Sequence, residues 1–528
     1  MSLVSSLASP ASKLNEYERF AYDHFVHRLA EPLEQISPTK GWVRLALQLS
    51  SEAAPILHAT VAAATADQAQ LGIEHITLSR AVDHVEQSAV VRQYCKAMAM
   101  LRKYIDKAVG SNAALEPVLL ASLLFVCIEV VQGNGDIATS HLRFARAIMQ
   151  EFAISEDPTQ HKQRFILSPQ SPTATQNLSD AIDKLEQASL GIAGQAKWLY
   201  LQPKELHHPV ADAGSMPLSF ASMDQAQAHL KKLITAGEIY RAELLRVAEA
   251  YVATMPHTSL NRDARYCLAR CLSRILDISC CSQLTRRMEE LLDRHSAWLS
   301  AFTALEIRNE GATPPRLLLL TRIQHWFSYF TLSTCRDTTE QVTDRFTNDF
   351  ADILDLAERY LNSFIDMPQA LPMFQTPAGF ERQRTFSLEC GMLPAVYLIC
   401  YKCRSQQIRH RAINLLRQAD RREGLYSSGV LCAYAKAIVG LEEQRSAAVA
   451  PKQSGDRMAA PEALPEDEMR FSDVVIAGDQ EQPGRIRVVC GRLVLGQFDG
   501  GAEAELLDYR GGGYPISLQL VGREAVRC

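Results

Sequence analysis

The chain has 528 residues, 47% of them hydrophobic and 22% charged, so disorder throughout is excluded and more than one hydrophobic core is expected. The formal net charge of −5 gives no support to a basic face that binds nucleic acid or a membrane surface. Many of the 13 cysteines lie in apolar runs, which is typical of free, reduced thiols in an intracellular protein.

Residues 1–13 are predicted to be a flexible N-terminus. The sequence MSLVSSLASPASKLNEYERF lacks the basic segment and apolar block of a secretion signal. The longest apolar stretch, Val118 to Val131, is interrupted by Glu129 and falls short of the roughly 20 residues that a membrane-spanning helix needs. It is predicted to be a buried core helix.

Residues 14–447 are predicted to form a helical domain, a multi-helix bundle or array, so the fold class is mostly α. One helical pattern follows another here, with short Pro, Gly or Ser breaks between them. Ser222 precedes Gln225 by three residues before a periodic run, which indicates a capping box. One helix face is predicted to carry an apolar stripe of Tyr94, Met98, Leu101 and Ile105.

Three stretches are predicted to be irregular. Residues 155–176 are rich in Ser, Pro, Thr and Gln, and residues 206–216 contain Pro, Gly and two histidines. Residues 448–468 have no apolar period and are predicted to be a linker.

Residues 469–528 are predicted to form a small β-rich tail, a short hairpin or sheet with Gly-rich joints. The strand signals are β-branched or alternating runs at residues 474–476, 485–490, 493–495 and 516–520.

Cys400 and Cys403 form a CxxC motif, the spacing of many zinc sites. A zinc site needs a second pair of ligands, and the nearest candidates, His410 and Cys390, stand at spacings that no standard zinc finger uses. Two thiols on a packed helix are the favoured interpretation. The same holds for a second group, Cys267, Cys271, Cys280 and Cys281.

Other candidate motifs in the sequence are incomplete. His24 and His27 share a helix face but have no third ligand, and HExxH, GxSxG, Walker A and GxGxxG patterns are missing from the sequence. The glycines 511–513 precede a strand-like Pro515–Ser517, which favours a flexible turn over a phosphate loop.

The segment from Asn348 resembles the start of a magnesium motif of terpene cyclases. The expected glutamate is replaced by Leu356, so the carboxylates of Asp349, Asp352 and Asp355 are predicted to form the solvated face of an amphipathic helix. No catalytic, cofactor-binding or metal-binding residue is predicted, and the chain is not expected to be an enzyme or to need a cofactor.

A basic run contains Arg404, Arg409, Arg411, Arg417, Arg421 and Arg422. A DNA-facing helix is one interpretation. The interruptions by Ile, Leu and Ala favour a packed helix with a solvated arginine face. In this interpretation Ile408, Ala412 and Leu415 lie on the inner side, and Arg409, His410 and Arg411 lie largely elsewhere.

The order of these segments resembles a known family. Residues 42–59 (WVRLALQLSSEAAPILHA), a helix at 91–105, and LLASLLFVCIEVVQGNGDIATSHLRFAR at 119–146 are similar to the middle homology region of fungal binuclear zinc-cluster transcription factors. PLSFASMDQAQAHLKKL, CYKCR, RHRAINLLRQADRREGLYSS, RFSDVVI and RIRVVC follow in the same family order, so the resemblance spans roughly residues 14–492.

The resemblance implies that CYKCR is a helix-to-helix joint without a metal. It does not bring a DNA-binding site, because these factors begin with six zinc-binding cysteines and the first cysteine here is Cys95. An upstream cluster missed by the predicted start is one explanation.

The family implies a transcriptional regulator in the nucleus that acts through protein partners, such as a DNA-bound factor or the transcription machinery. Such fungal proteins often lie among secondary-metabolite genes. The alternative from the residues alone is a cytosolic helical scaffold or ligand-responsive binding protein, and an unrecognised enzyme ranks third. Membrane association is not expected, and the oligomeric state is left open.

Overall fold

A computed structural model gives the fold. It describes residues 13–30, 41–75, 83–108, 113–132, 135–154, 165–166, 178–179, 181–182, 216–254, 262–274, 282–308, 315–337, 339–363, 385–387, 391–423, 426–449, 470–471, 473–478, 486–495, 502–508 and 512–518. The chain divides into two compact units. The first contains residues 1–189, 384–390 and 421–425, and the second contains residues 190–383, 391–420 and 426–528.

The first unit is helical, with a few very short strands. Its described helices are α1 (Glu16–His24), a π-helical turn (Phe25–Leu29), α2 (Trp42–Glu52), α3 (Ala54–His75), α4 (Asp83–Ala108), α5 (Glu116–Gln132) and α6 (Gly135–Ile154). Its strands β1 (Ala113–Ala114) and β2 (Phe165–Ile166) pair in parallel, as do β3 (Thr385–Ser387) and β4 (Arg421–Glu423).

Helix α5 is the centre of the first unit. Every residue from Glu116 to Val131 is buried, which confirms the core helix predicted from the apolar stretch. Pro117 fits the first helical turn, where no N–H bond is lost, and Glu116 complements the positive end of the helix dipole. A helix that is apolar all round must be enclosed, and α3 and α6 pack against it.

The apolar stripe predicted on α4 is only partly correct. Leu101 is buried and packs in the core, with Tyr94 and Ile105 partly buried against it. Met98 is 39% exposed, so it does not belong to the buried face. A buried stripe instead contains Gln93, Ala97 and Leu101, four residues apart. Since Gln93 is polar and Ala97 is small, a search for large apolar residues does not find this stripe.

The second unit contains the remaining helices and the larger sheet. Its described helices are α7 (Met223–Ala253), α8 (Arg262–Ser273), α9 (Ser282–Arg308), α10 (Pro315–Ser333), a 3₁₀ helix (Glu340–Phe346), α11 (Thr347–Asn362), α12 (Leu393–Lys402), α13 (Gln406–Ala419) and α14 (Ser428–Val449). The short strand β5 (Tyr426–Ser427) directly precedes α14.

The start of α7 carries the predicted cap in altered form. The Ser222 hydroxyl accepts the Gln225 N–H at 3.2 Å, as a capping box requires. The Gln225 side chain accepts the N–H of Ala221 at 2.6 Å, one residue before the position expected.

We expect Ser222→Ala to lower the free energy of unfolding of the second unit by about 1 kcal/mol, since one N–H at the start of α7 loses its acceptor. Hydrogen exchange of α7 peptides measures the loss. Ser222→Asp keeps an acceptor and should stay close to the parent protein; equal losses in both variants would contradict a capping role.

The C-terminal strands form one antiparallel sheet in the order β6 (Asp473–Gly478), β7 (Ile486–Leu495), β8 (Ala502–Asp508) and β9 (Gly512–Leu518). This confirms the small C-terminal sheet and joins the two predicted runs at 485–490 and 493–495 into one strand. Strand β8 gave no signal because AEAELLD consists mainly of helix-favouring residues. Gly512 and Gly513 belong to β9, so the turn predicted for residues 511–513 is wrong at these two positions.

The fold class is confirmed as mostly α with a small C-terminal sheet. The predicted boundaries at 13, 447 and 468 stay predictions, because residues 1–12 and 450–469 lie outside the described residues. Most of the irregular stretches at 155–176 and 206–216 also lies outside them. Among the described helices, none combines the length and apolar character that crossing a membrane requires.

Candidate functional site, a buried ion-pair cluster

The strongest concentration of charge in the described residues is buried inside the second unit. It lies where the 3₁₀ helix, the joint between α12 and α13, and helix α14 come together. We call it the ion-pair cluster, and its members are Arg274, Glu340, Asp344, Lys402, Arg404, Arg409, Glu442 and Arg470.

Glu340 is the most enclosed carboxylate of the cluster, with a side chain only 1% exposed. It accepts bonds from Arg274 Nη1 at 2.5 Å and Lys402 Nζ at 2.8 Å. Arg404 Nη2 lies 3.7 Å away. Burial alone would raise the pKa of Glu340, but these three cations lower it to about 2, so the carboxylate is ionised at neutral pH.

Glu442 on α14 is the second buried carboxylate. Arg409 Nη2 donates to it at 2.7 Å, and Arg404 Nη2 lies 3.4 Å from its other oxygen. Arg409 Nε also donates to the carbonyl of Cys403 at 2.8 Å, and the Arg404 guanidinium donates to the carbonyl of Tyr401. The two arginines therefore connect the α12–α13 joint to α14.

The cluster is built to hold elements together rather than to transfer protons. Each of its three carboxylates is paired with at least one guanidinium or ammonium group. Burial lowers the pKa of Lys402, and Glu340 offsets this effect only in part because Arg274 and Arg404 lie nearby. With its pKa lowered to about 2, the Glu340 carboxylate is too weak a base to take up a proton at neutral pH.

The position of the arginines corrects the sequence interpretation. Arg404, Arg409 and Arg421 are each no more than 3% exposed, so half of the basic run is buried and not a solvated face. Arg421 Nε lies 2.9 Å from the buried Glu423, and the Arg422 guanidinium donates to the Val130 carbonyl. Glu442, the partner of Arg409, lies 33 residues further along the chain, so a local pattern shows this cation without its carboxylate.

The rest of this segment follows the prediction. Ala412 and Leu415 are buried and Ile408 is partly buried on the inner side of α13, while His410 and Arg417 are exposed. Arg411 lies at the surface, where Asp355 at 2.5 Å and Glu358 at 2.7 Å accept its N–H groups.

A second polar cluster lies in the first unit. The Tyr94 hydroxyl bonds Nε2 of His141 at 2.8 Å, and the ring of Phe125 packs edge-on against Tyr94 at 5.2 Å. Burial, together with a hydrogen bond to Glu129, raises the pKa of Tyr94. Burial lowers the pKa of His141. Glu129, which interrupts the apolar run of α5, thus has a hydroxyl partner in the core.

A histidine pair forms the third buried group, between α9 and α10 of the second unit. The rings of His295 and His325 lie 5.2 Å apart, and His325 Nε2 bonds the His295 carbonyl at 3.0 Å. Trp298 stacks on His325 at 4.7 Å and donates its indole N–H to the Ala226 carbonyl of α7. Burial lowers the pKa of His295 to about 3 and that of His325 to about 4, so both rings are neutral at pH 7.

The cysteines are packed as the sequence predicts. Cys400 and Cys403 are at most 1% exposed at the end of α12, and Cys267 and Cys271 are fully buried in α8. Burial raises the pKa of Cys400 and Cys403. Cys280, Cys281 and Cys390 lie outside the described residues. Residues 403–405 join α12 to α13, in agreement with the helix-to-helix joint that the resemblance implies.

The remaining candidates also have structural surroundings. His24 Nε2 bonds Asp67 at 2.8 Å. Asp349, Asp352 and Asp355 are exposed on α11, as predicted for the solvated face of an amphipathic helix. The part of the chain that the structure describes contains no group of three or more His, Cys, Asp or Glu residues placed to hold a metal ion.

We expect thiol reagents to distinguish the exposed Cys95 from the packed thiols of Cys127, Cys400 and Cys403. In the native protein, alkylation of the three buried thiols should be slower by a factor on the order of ten or more, because they are both enclosed and protonated. Peptide mass spectrometry after timed alkylation measures each rate, with the denatured protein as control. Equal native rates at Cys95 and Cys400 would contradict the packing described.

Sequence reasoning missed Glu340, Asp344 and Glu442 as well as the two buried histidines. A hydrophobic stripe that contains a histidine or glutamate at a core position is the signal that could have found them. His295 and His325 occupy such positions on α9 and α10, at 0% and 5% exposure.

One part of the chain is similar to a known protein family. Residues 20–180 match the family model described as fungal specific transcription factor domain. The matched part contains helices α2 to α6 with the buried α5, together with the polar cluster of Tyr94, Glu129 and His141. Over residues 20–180 the chain is therefore similar to a fungal specific transcription factor domain, in agreement with the resemblance stated from the sequence.

One relative is more specific. Over 78 residues the chain is 35% identical to the aspercryptin biosynthesis cluster-specific transcription regulator atnN of Emericella nidulans. The match covers 15% of this chain and 13% of that regulator, so this chain aligns with only a small part of its relative. No solved structure matches the chain.

Proposed function

We propose that this protein is a fungal transcriptional regulator that acts in the nucleus on the genes of a secondary-metabolite biosynthesis cluster. The observation that carries the proposal is the transcription factor domain at residues 20–180. The cluster-specific regulator that shares 35% identity over 78 residues supports the biosynthetic target. An enzymatic role has no support from either comparison.

The DNA contact is proposed to come from a protein partner. Three of the six arginines in the basic run, Arg404, Arg409 and Arg421, are paired with buried carboxylates. Arg404, Arg409 and Arg421 are buried and therefore unable to neutralise phosphates. A DNA-bound factor that recruits this helical protein accounts for regulation under these conditions.

Chromatin immunoprecipitation of the protein, tagged at its native locus, tests the proposal together with microscopy of the same strain. Discrete promoter peaks in a biosynthesis cluster and nuclear signal are expected, with loss of cluster transcripts in a deletion strain. A cytosolic protein without enrichment, while neighbouring genes are switched on, would favour the helical scaffold or ligand-responsive binding protein instead.

A binding assay separates the two parts of the proposal. The purified 528-residue chain is mixed with DNA from the strongest peak, with and without nuclear extract. If the chain binds the DNA only when nuclear extract is present, the result supports a protein partner that makes the DNA contact. Specific, salt-sensitive binding by the purified chain alone would overturn the partner while leaving the regulatory function in place.

A further inference from the structure

Two consecutive residues near the C-terminus, Arg470 and Phe471, are bound like a ligand in the second unit. The Arg470 guanidinium donates to both carboxylate oxygens of Asp344, at 2.9 and 2.8 Å, and to the Glu340 carbonyl at 3.2 Å. Such a bidentate interaction between a guanidinium and a carboxylate combines opposite charges with a fixed hydrogen-bond geometry. The side chain of Arg470 is only 3% exposed.

Phe471 completes the contact. Its side chain is 1% exposed, and its backbone N–H donates to Glu442 Oε1 at 2.9 Å. The Arg470 guanidinium and the Phe471 backbone N–H thus bind two elements that are far apart in sequence, the 3₁₀ helix and α14. The separation from Arg470 to Asp344 is 126 residues.

Directly after this pair the chain enters β6 and the four-stranded sheet. Strands β6, β7 and β8 also contact helix α8. Arg470 and Phe471 therefore stand at the point where the sheet joins the helices of the second unit.

Removal of Arg470 and Phe471 would affect the three carboxylates of the ion-pair cluster differently. Without Arg470 and Phe471, Glu442 keeps Arg409 and Arg404, and Glu340 keeps Arg274 and Lys402. Asp344 is the carboxylate that loses its charged partner, and its side chain is already 26% exposed and able to be hydrated. Departure of the two residues therefore leaves no buried carboxylate of the cluster without a cation.

We propose that Arg470 and Phe471 form a releasable latch, an internal ligand that fastens the sheet to the helices and can detach while the helices stay folded. The recognition site consists of Asp344, the Glu340 carbonyl and Glu442, and its ligand class is an arginine followed by an aromatic residue. Local opening of this kind has a lower free energy than global unfolding. The latch is independent of the proposed function.

A charge-reversal cycle on the full chain tests the latch. Arg470→Asp and Asp344→Arg each place like charges together, and the double variant restores an opposite pair. Hydrogen exchange by mass spectrometry reports on the strands at residues 473–518 and, separately, on α13 and α14. Arg417→Asp, which changes an exposed arginine of α13, is the matched control.

Each single variant should accelerate hydrogen exchange in the strands by about tenfold or more, while α13 and α14 keep their protection. The double variant should recover most of the protection that the strands have in the parent protein. Phe471→Ala should release the same strands. The proposal fails if α13 and α14 lose protection together with the strands, because the pair would then belong to the core. It also fails if the strands keep their parent rates in both single variants.

Discussion

Glu340→Gln is expected to lower the free energy of unfolding of the second unit by about 3–5 kcal/mol, the range for breaking a buried ion pair by removing one partner. The amide keeps the shape of the carboxylate but not its charge, so Arg274 and Lys402 remain buried with one fewer anion. Both lie within 2.8 Å of the carboxylate oxygens. Hydrogen exchange of peptides from α12 to α14 during denaturant titration measures the effect.

Glu358→Gln is the matched control on an exposed pair. Glu358 accepts from Arg411 at 2.7 Å, but the two side chains are 39% and 36% exposed, and such pairs contribute about 1 kcal/mol or less. A loss in Glu340→Gln no larger than in this control would contradict a stabilising role for the ion-pair cluster.

The pH dependence gives an independent check of Glu340. Its pKa in the folded protein is about 2, below the ordinary value of 4.5, so the unfolded chain takes up the proton first as pH falls. The stabilisation is complete above pH 4.5 and is lost as pH falls toward 2. Glu340→Gln should therefore flatten the stability curve in this range, if the variant is compared with the parent protein in strongly acidic buffers.

Acidification from pH 7 to pH 5 is expected to destabilise the second unit by about 2 kcal/mol for each of His295 and His325. Both pKa values are lowered by burial, to about 3 and about 4, whereas an unfolded histidine titrates near 6.5. At pH values between the folded-state and unfolded-state pKa values, these histidines are protonated in the unfolded chain but neutral in the folded chain. Stability is therefore complete above pH 6.5 and falls as the pH is lowered.

His295→Leu tests this, since it removes the proton uptake of one ring from a site that is 0% exposed. The loss between pH 7 and pH 5 should fall by about half, measured by denaturant titration at each pH with hydrogen exchange of α9 and α10 peptides as readout. His410→Leu, at an exposed position of α13, is the control. An unchanged pH slope in His295→Leu would show that acid acts elsewhere.

Sequence patterns predicted the parts of the fold that depend on local periodicity. The apolar run from Val118 to Val131 indicated a buried helix because no other environment accommodates a helix that is apolar all round. The alternating and β-branched runs after residue 473 indicated a sheet for the same local reason. The charged face of Asp349, Asp352 and Asp355 could also be predicted, because it depends only on the sequence periodicity within one helix.

The ion-pair cluster could not be predicted in this way. Lys402 and Glu340 are 62 residues apart, and Arg470 and Asp344 are 126 residues apart. A buried arginine and a solvated arginine look alike in sequence until the opposing carboxylate is located, so the interruptions by Ile, Leu and Ala around Arg409 indicated packing without showing that Arg409 itself is packed. Burial of charge depends on tertiary partners, which a local window does not contain.

The first unit is completed late in protein synthesis, because it is built from segments that are far apart in the chain. The Arg422 guanidinium donates to the Val130 carbonyl across 292 residues, and β4 pairs with β3 in the same unit. The ribosome has therefore made α7 to α13 before the last segment of the earlier unit, residues 421–425, is available. A messenger truncated before codon 421 would therefore yield a chain in which α1 to α6 are present but their unit lacks its final segment.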